Sequence, residues 1–111
     1  MISILTPTYN RAYILDEAYQ SLCKQTSFEF EWIIIDDGSI DNTEELVSTW
    51  KKDCNLFPII YYKQENGGKH RALNKGVSFV SSQYVLILDS DDSLAGDAVK
   101  LIHEWVNSIV S

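Results

Sequence analysis

Hydrophobic and polar positions fall along this chain in two kinds of block. Short β-prone segments occur at Ile2 to Thr8, at Phe30 to Asp36 with Trp32-Ile33-Ile34-Ile35 as its apolar centre, at Pro58 to Lys63 with Ile59-Ile60-Tyr61-Tyr62, and at Tyr84 to Leu88. The last is apolar without a break, which predicts a parallel strand covered on both faces. Between them lie longer stretches whose apolar residues recur three and four apart, the spacing of a helix that buries one face. The first spans about 11–25 with Leu15, Ala18, Tyr19 and Leu22 on one side, and the second runs to about Lys52 with Leu46, Val47 and Trp50 inward. The third covers about 69–80, with Leu73, Val77 and Val80 on its buried face. The last, about 96–110, carries the clearest stripe: Ala98, Leu101, Ile102, Trp105, Val106 and Ile109.

Local signals fit these blocks. Asn10 is placed to cap the first helix, and Asp41 with Glu44 three residues on reads as a capping box for the second. Gly76 lowers the propensity of the third. Strands alternating with helices through short loops imply right-handed crossovers. The fold class is therefore α/β: an open, mostly parallel sheet with helices on both faces. No repeat, linker or low-complexity segment interrupts the pattern, so the 111 residues read as one domain.

The fourth apolar run stops in Asp89-Ser90-Asp91-Asp92, three carboxylates within four positions. Open α/β sheets place ligands at the carboxyl ends of their strands. If the chain stays extended, Asp89 and Asp91 project to one side while Asp92 turns into the next helix. Charges this close repel unless a cation, protons or solvent intervenes. A hard divalent ion, Mg²⁺ or Mn²⁺, held by one or two carboxylates and completed by water and phosphate, meets that demand. The alternative is that Asp92 or Ser93 caps the following helix and the other two acids are solvated. An EF-hand loop does not fit, since its glycine position holds Leu94 and its final glutamate position Lys100.

Composition narrows the classes. A hydrophobic content of 45%, with 12% aromatic residues, suffices for a core. A net charge of −7 argues against a nucleic-acid partner, which needs clustered Lys and Arg. No apolar run approaches the roughly 20 residues of a membrane span, and the first residues do not form a signal peptide. The cytoplasm is the expected location, at the inner face of the membrane if other parts or partners bring the chain there. Cys23 and Cys54 lie far apart without a paired motif and read as reduced thiols.

Every loop that follows a strand is polar, and all four would share one edge of the sheet. They are Thr6 to Arg11, Asp36 to Ser39, Asn66 to Arg71 and Asp89 to Asp92. Asp37 can accept from an imide N–H such as uracil presents; its alternative is a turn residue bonding its own backbone before Gly38. Lys69 and Arg71, after two glycines at a helix start, can meet phosphate oxygens, or else form an ordinary basic patch. His70 reads as a surface residue. The Gly68-Lys69 pair is not a P-loop, because the earlier glycine is missing and His70 stands where Ser or Thr should be.

Together these segments resemble the N-terminal half of a family 2 glycosyltransferase of the GT-A fold. Thr6-Pro7-Thr8-Tyr9-Asn10-Arg11, Ile35-Asp36-Asp37-Gly38-Ser39 with Asp41 and Thr43, Asn66-Gly67-Gly68-Lys69 through Gly76, and Leu88-Asp89-Ser90-Asp91-Asp92 occur in family order over nearly the whole chain. The resemblance implies a Rossmann-like nucleotide-binding half, a nucleotide-sugar donor, commonly UDP-linked, and Mn²⁺ or Mg²⁺. It implies Pro7 and Tyr9 at the base and ribose, Asp37 at uracil, and Arg11, Lys69 and Arg71 near the diphosphate. Asp89 would approach the ribose or the metal's waters, Asp91 would bind the metal, and Asp92 competes for that place.

The same resemblance implies inverting transfer to a glycan or lipid-linked acceptor, with a base from a later, acceptor-binding half. After the acidic turn the chain runs only to Ser111, so no catalytic base is assigned, and residues 1–111 read as a donor part. Such a part is expected to bind UDP with metal yet to transfer sugar poorly alone, and an uncovered sheet edge would invite self-association. Two rivals remain: a nucleotide- or metal-binding module without transferase activity, and a receiver-type signalling domain. A receiver should carry its acidic pair after the first strand, where this chain has Thr8-Tyr9-Asn10.

Overall fold

The structure is a computed structural model, which describes residues 1–110. Its elements are β1 (Ile2–Thr8), α1 (Ala12–Cys23), β2 (Phe30–Asp36), α2 (Thr43–Asp53), β3 (Ile59–Lys63), α3 (Lys69–Val77), β4 (Tyr84–Ile87) and α4 (Ala98–Val110). The strands form one parallel sheet in the order β3-β2-β1-β4. Thr8 pairs with Asp36, and Asp36 with Lys63, so three strands end level with one another. The order reverses between β1 and β4, and the crevice outside a reversal is where such sheets bind ligands.

The two faces are covered unequally. On one, Ile2, Ile4, Trp32 and Ile34 pack against Leu15, Ala18 and Leu22 of α1, Val47 and Trp50 of α2, and Val99 of α4. Aromatic stacking tightens this side: the Tyr19 and Trp50 rings lie 4.3 Å apart, and Trp32 Nε1 donates to Thr6 Oγ1 at 2.8 Å. On the other face, Leu5, Ile33 and Ile35 meet α3 alone.

That second face explains a departure from the expected pattern of α3. Ala72 and Gly76 contact the sheet, whereas Val77 is 58% exposed and ends the helix; Leu73 and Val80 are only partly buried. A Cβ at Gly76 would run into the Leu5 side chain, so the helix approaches β1 through its smallest residues. The glycine that weakens the helix locally is what allows this packing.

The margin at β4 also differs. The apolar run predicts a strand covered on both sides, but β4 is the sheet's edge, and Val85 and Ile87 are 43% and 46% exposed. Of the α4 stripe, Val99 is buried and Ile102 and Val106 partly so, while Leu101, Trp105 and Ile109 face outward. A helix over the margin of a sheet has a neighbour on one side only. Its start is anchored by Gln25, whose Oε1 accepts the Val99 N–H and whose Nε2 donates to the Ala95 carbonyl.

The caps differ from expectation. Asn10 adopts φ 51° and does not cap α1; Arg11 occupies that position with no side-chain bond. The cap comes from the neighbouring loop, where Asp41 Oδ2 accepts the Ala12 N–H at 3.1 Å. Asp41 Oδ1 accepts from Thr43 N, but the residue at the N-cap of α2 is Asn42, and no capping-box bond forms. Cys23 and Cys54 are free thiols, gathered about the hydroxyl of Tyr19.

Candidate functional site

The four loops beyond the carboxyl ends of the strands are tied to one another in sequence, beginning with the first two. Asp37 N donates to the Thr8 carbonyl at 2.9 Å, Asn10 N to Ser39 Oγ at 2.9 Å, and Ile40 N to Asn10 Oδ1 at 2.8 Å. The left-handed backbone at Asn10 turns the chain so that both its amide and its side chain meet the second loop. Asp36 holds that loop from within. It is fully buried, accepts the Ser39 N–H at 2.8 Å, and receives the Tyr61 hydroxyl from β3. Burial, and then the bond to Asp36, push the Tyr61 hydroxyl well above its ordinary pKa, so it remains the donor.

Asp37 joins the second loop to the third. Its Oδ1 accepts from Gln64 Nε2 and Gly67 N, its Oδ2 from Gly68 N, all at 2.9 Å. Burial raises its pKa, but these three bonds and the charge of Arg71 outweigh it and hold the carboxyl below its usual range. The residue therefore does not serve its own turn; Asp36 does that. A carboxylate offers about four acceptor directions, so one remains on Asp37 Oδ2. Glycine is required beside it: Gly68 has φ +94°, and a Cβ at Gly38, φ +83°, would press on Asn66 N.

The third loop reaches the fourth through Lys69, whose Nζ lies 2.8 Å from Asp89 Oδ1. The bond to Asp89 raises the Lys69 pKa, with the charges of Asp89, Asp91 and Asp92 adding to it. After β4 the Leu88 N–H still pairs with the Leu5 carbonyl, and Asp92 N closes a turn on the Asp89 carbonyl at 3.0 Å.

These loops enclose a cavity of about 350 Å³, within the range of small-molecule sites. Pro7, Tyr9, Arg11, Asp37, Lys69, Asp89 and Asp91 line it, and all seven were singled out from the sequence. Thr8, Ala72 and Ser90 complete the wall. Arg71 and Asp92 are not in it: Arg71 lies over Gly67, where a Cβ would come within 2.8 Å of its Nη1, and Asp92 is exposed on the acidic turn. His70 is exposed beside the loop.

Sequence reasoning missed the contributions of Thr8, Asp36 and Tyr61. The Thr8 hydroxyl is buried without a hydrogen-bond partner. For Asp36 the available signal was its position as the last residue of a predicted strand, where a buried carboxylate needs a neighbouring donor; the structure pairs it with Lys63 and brings the Tyr61 hydroxyl to it.

Asp89 and Asp91 are hard oxygen donors on one cavity wall, a set that suits Mg²⁺ or Mn²⁺ completed by phosphate and water. Among the described residues no group of three or more acidic, histidine or cysteine side chains forms a ready-made metal cage. Nor is any described helix long and apolar enough to cross a membrane.

Comparison with known proteins agrees with this geometry. The chain is 37% identical over 111 residues to the abequosyltransferase RfbV of Salmonella typhimurium, covering 97% of this chain and 33% of the relative. It thus spans about a third of the length of that protein. Among solved structures, residues 1–349 of S. aureus TarS in complex with UDP-GlcNAc superpose with a TM-score of 0.89 at 28% identity, over 96% of this chain and 31% of that one. The mannosyltransferase PcManGT of Pyrobaculum calidifontis, in complex with GDP-Man and Mn²⁺, gives 0.86 at 25% identity over 95% of this chain and 32% of that one. The family model for glycosyl transferase family 2 matches residues 3–108, and with the GT-A sheet and the four converging loops the chain belongs to that family.

Proposed function

We propose that this chain holds the donor site of a glycosyltransferase that takes its sugar from a uridine diphosphate carrier with the aid of a divalent cation. The observation that carries the reading is the convergence of Tyr9, Arg11, Asp37, Lys69, Asp89 and Asp91 on one cavity at the reversal of strand order. Tyr9, 46% exposed at the rim, offers a ring to the base, and the free acceptor direction of Asp37 Oδ2 suits the uracil imide N–H. Arg11 and Lys69 supply positive charge for the diphosphate, and the unpartnered Thr8 hydroxyl is a further polar group on the wall.

Asp91, with Asp89, would hold Mn²⁺ or Mg²⁺, which when bound neutralises charge on the leaving diphosphate. Arg11 and Lys69 act on the same charge, which is the electrostatic part of catalysis. Support for UDP comes from TarS, described with UDP-GlcNAc, and for metal from PcManGT, described with GDP-Man and Mn²⁺. Inversion at the anomeric carbon, a glycan or lipid-linked acceptor, and work in the cytoplasm at the inner membrane face belong to the same proposal.

A second reading, a binding module without transfer activity of its own, is favoured by one observation. Of the three acids lining the cavity, two are already engaged, Asp37 by three donors and Asp89 by Lys69. If Asp91 holds the cation, no lining carboxylate is left to deprotonate an acceptor hydroxyl.

Calorimetric titration tests the proposal. With Mn²⁺ present, UDP is expected to bind more tightly than GDP, CDP or ADP, with chelator and Asp91→Ala each weakening it at least tenfold. Equal binding of all four nucleotides, or UDP binding indifferent to chelator and to Asp91→Ala, would overturn it. Transfer is to be assayed with the radiolabelled UDP-sugar on a protein of the relatives' full length.

A further inference from the structure

Lys69 opens α3, and Lys69, His70 and Arg71 put three basic side chains in the first turn, with no acidic residue there. Positive charge at a helix N-terminus opposes the helix dipole, so these residues do not serve the helix. Lys69 is directed instead to Asp89, at 2.8 Å, across the cavity that Asp91 also lines. The ammonium therefore sits on one of the two carboxylates that a divalent cation would use.

We propose, resting on the donor-site reading above, that Lys69 and the divalent cation compete for Asp89. The cation displaces the ammonium, and the freed Lys69 side chain turns to the diphosphate that arrives with it. The geometry permits the exchange. Both partners are about half exposed, with side-chain exposures of 58% and 41%, so the pair is solvated and weak enough to be replaced. Two cations on one carboxylate repel, and the coupling is reciprocal: whatever weakens the lysine contact strengthens the metal's. Arg11 lines the same cavity, yet no ion pair joins it to the acidic turn, which makes it a charge-matched control.

The competition has a signature opposite in sign to a simple loss of a binding residue. Mn²⁺ binding without nucleotide is measured by the electron paramagnetic resonance of free Mn²⁺ on the wild-type chain, Lys69→Gln and Arg11→Gln, with melting temperatures confirming folding. Lys69→Gln is expected to bind Mn²⁺ about two- to fivefold more tightly than wild type, the scale of one exposed ion pair. Arg11→Gln should gain clearly less, and Lys69→Gln should bind UDP with Mn²⁺ more weakly than wild type. Unchanged or weaker Mn²⁺ binding by Lys69→Gln, an equal gain from Arg11→Gln, or no Mn²⁺ binding by any of the three would overturn the competition. UDP binding by wild type in the same preparations keeps the two ideas apart: if it persists, only the competition has failed, and if it is absent, the donor-site reading has failed.

Discussion

The carboxylate of Asp37, at the end of β2, accepts the backbone N–H of Gly68, at the start of α3, at 2.9 Å. With Gly67 and Gln64 it makes Asp37 the clasp between the second and third loops of the site. Asp37→Asn would turn an amide N–H₂ toward donors. The variant is expected to lose about 1–3 kcal/mol, the cost of leaving buried donors unsatisfied.

That loss should depend on pH. Because the Asp37 carboxyl is held below its ordinary range, it contributes stability above the unfolded aspartate value of about 4, and this is lost as pH falls through the folded value. Thermal melts of wild type and Asp37→Asn should differ fully at pH 7 and converge below about pH 4. A difference independent of pH would contradict the assignment.

Tyr61 is predicted to position the second loop through Asp36. Tyr61→Phe leaves one oxygen of a fully buried carboxylate without a donor, at a cost of about 1–3 kcal/mol. The readout specific to positioning is amide exchange at Asn10 and Ile40, whose bonds depend on where Ser39 and Ile40 sit. Their exchange should quicken more than that of β1 and β2; uniform acceleration would point to general destabilisation.

Gly76→Ala is expected to destabilise the chain by about 1–3 kcal/mol despite alanine's better helix propensity, because the added Cβ overpacks against Leu5. Chemical denaturation measures it. A stabilised variant would show that α3 can move off β1 freely.

The open edge at β4 carries the expectation of self-association. Val85 and Ile87, both nearly half exposed on one face of an edge strand that is paired to β1 alone, form the kind of edge that pairs with another copy. Sedimentation at rising concentration should show association for wild type and much less for Val85→Lys with Ile87→Lys, with little change in stability.

The strands and helices were legible because short β-prone segments alternate with stretches of helical apolar spacing, and the site because each strand ends in a polar loop. What could not be read was relative position. The run Tyr84 to Leu88 looks the same whether a strand lies inside a sheet or at its edge, so the exposure of Val85 and Ile87 was not foreseen. The apolar stripe of α4 shows which residues prefer burial, not whether a neighbour stands on both sides of Trp105. Asn10 and Asp41 both carry capping chemistry, but only the closeness of two loops far apart in sequence brings Asp41 to the start of α1 and turns Asn10 to the Ile40 amide. Arg71 has the charge a phosphate requires, but its side chain lies over Gly67 and outside the cavity lining, a placement that no local pattern announces.

The central claim is that the cavity between β1 and β4 is the nucleotide site, and amide chemical-shift mapping with UDP and Mg²⁺ tests it most directly. The largest shifts are expected at Tyr9, Arg11, Asp37, Lys69, Asp89 and Asp91. Shifts concentrated instead at the opposite end of the sheet, around Ser81 to Tyr84 and His103, where a second cavity lies, would contradict the account.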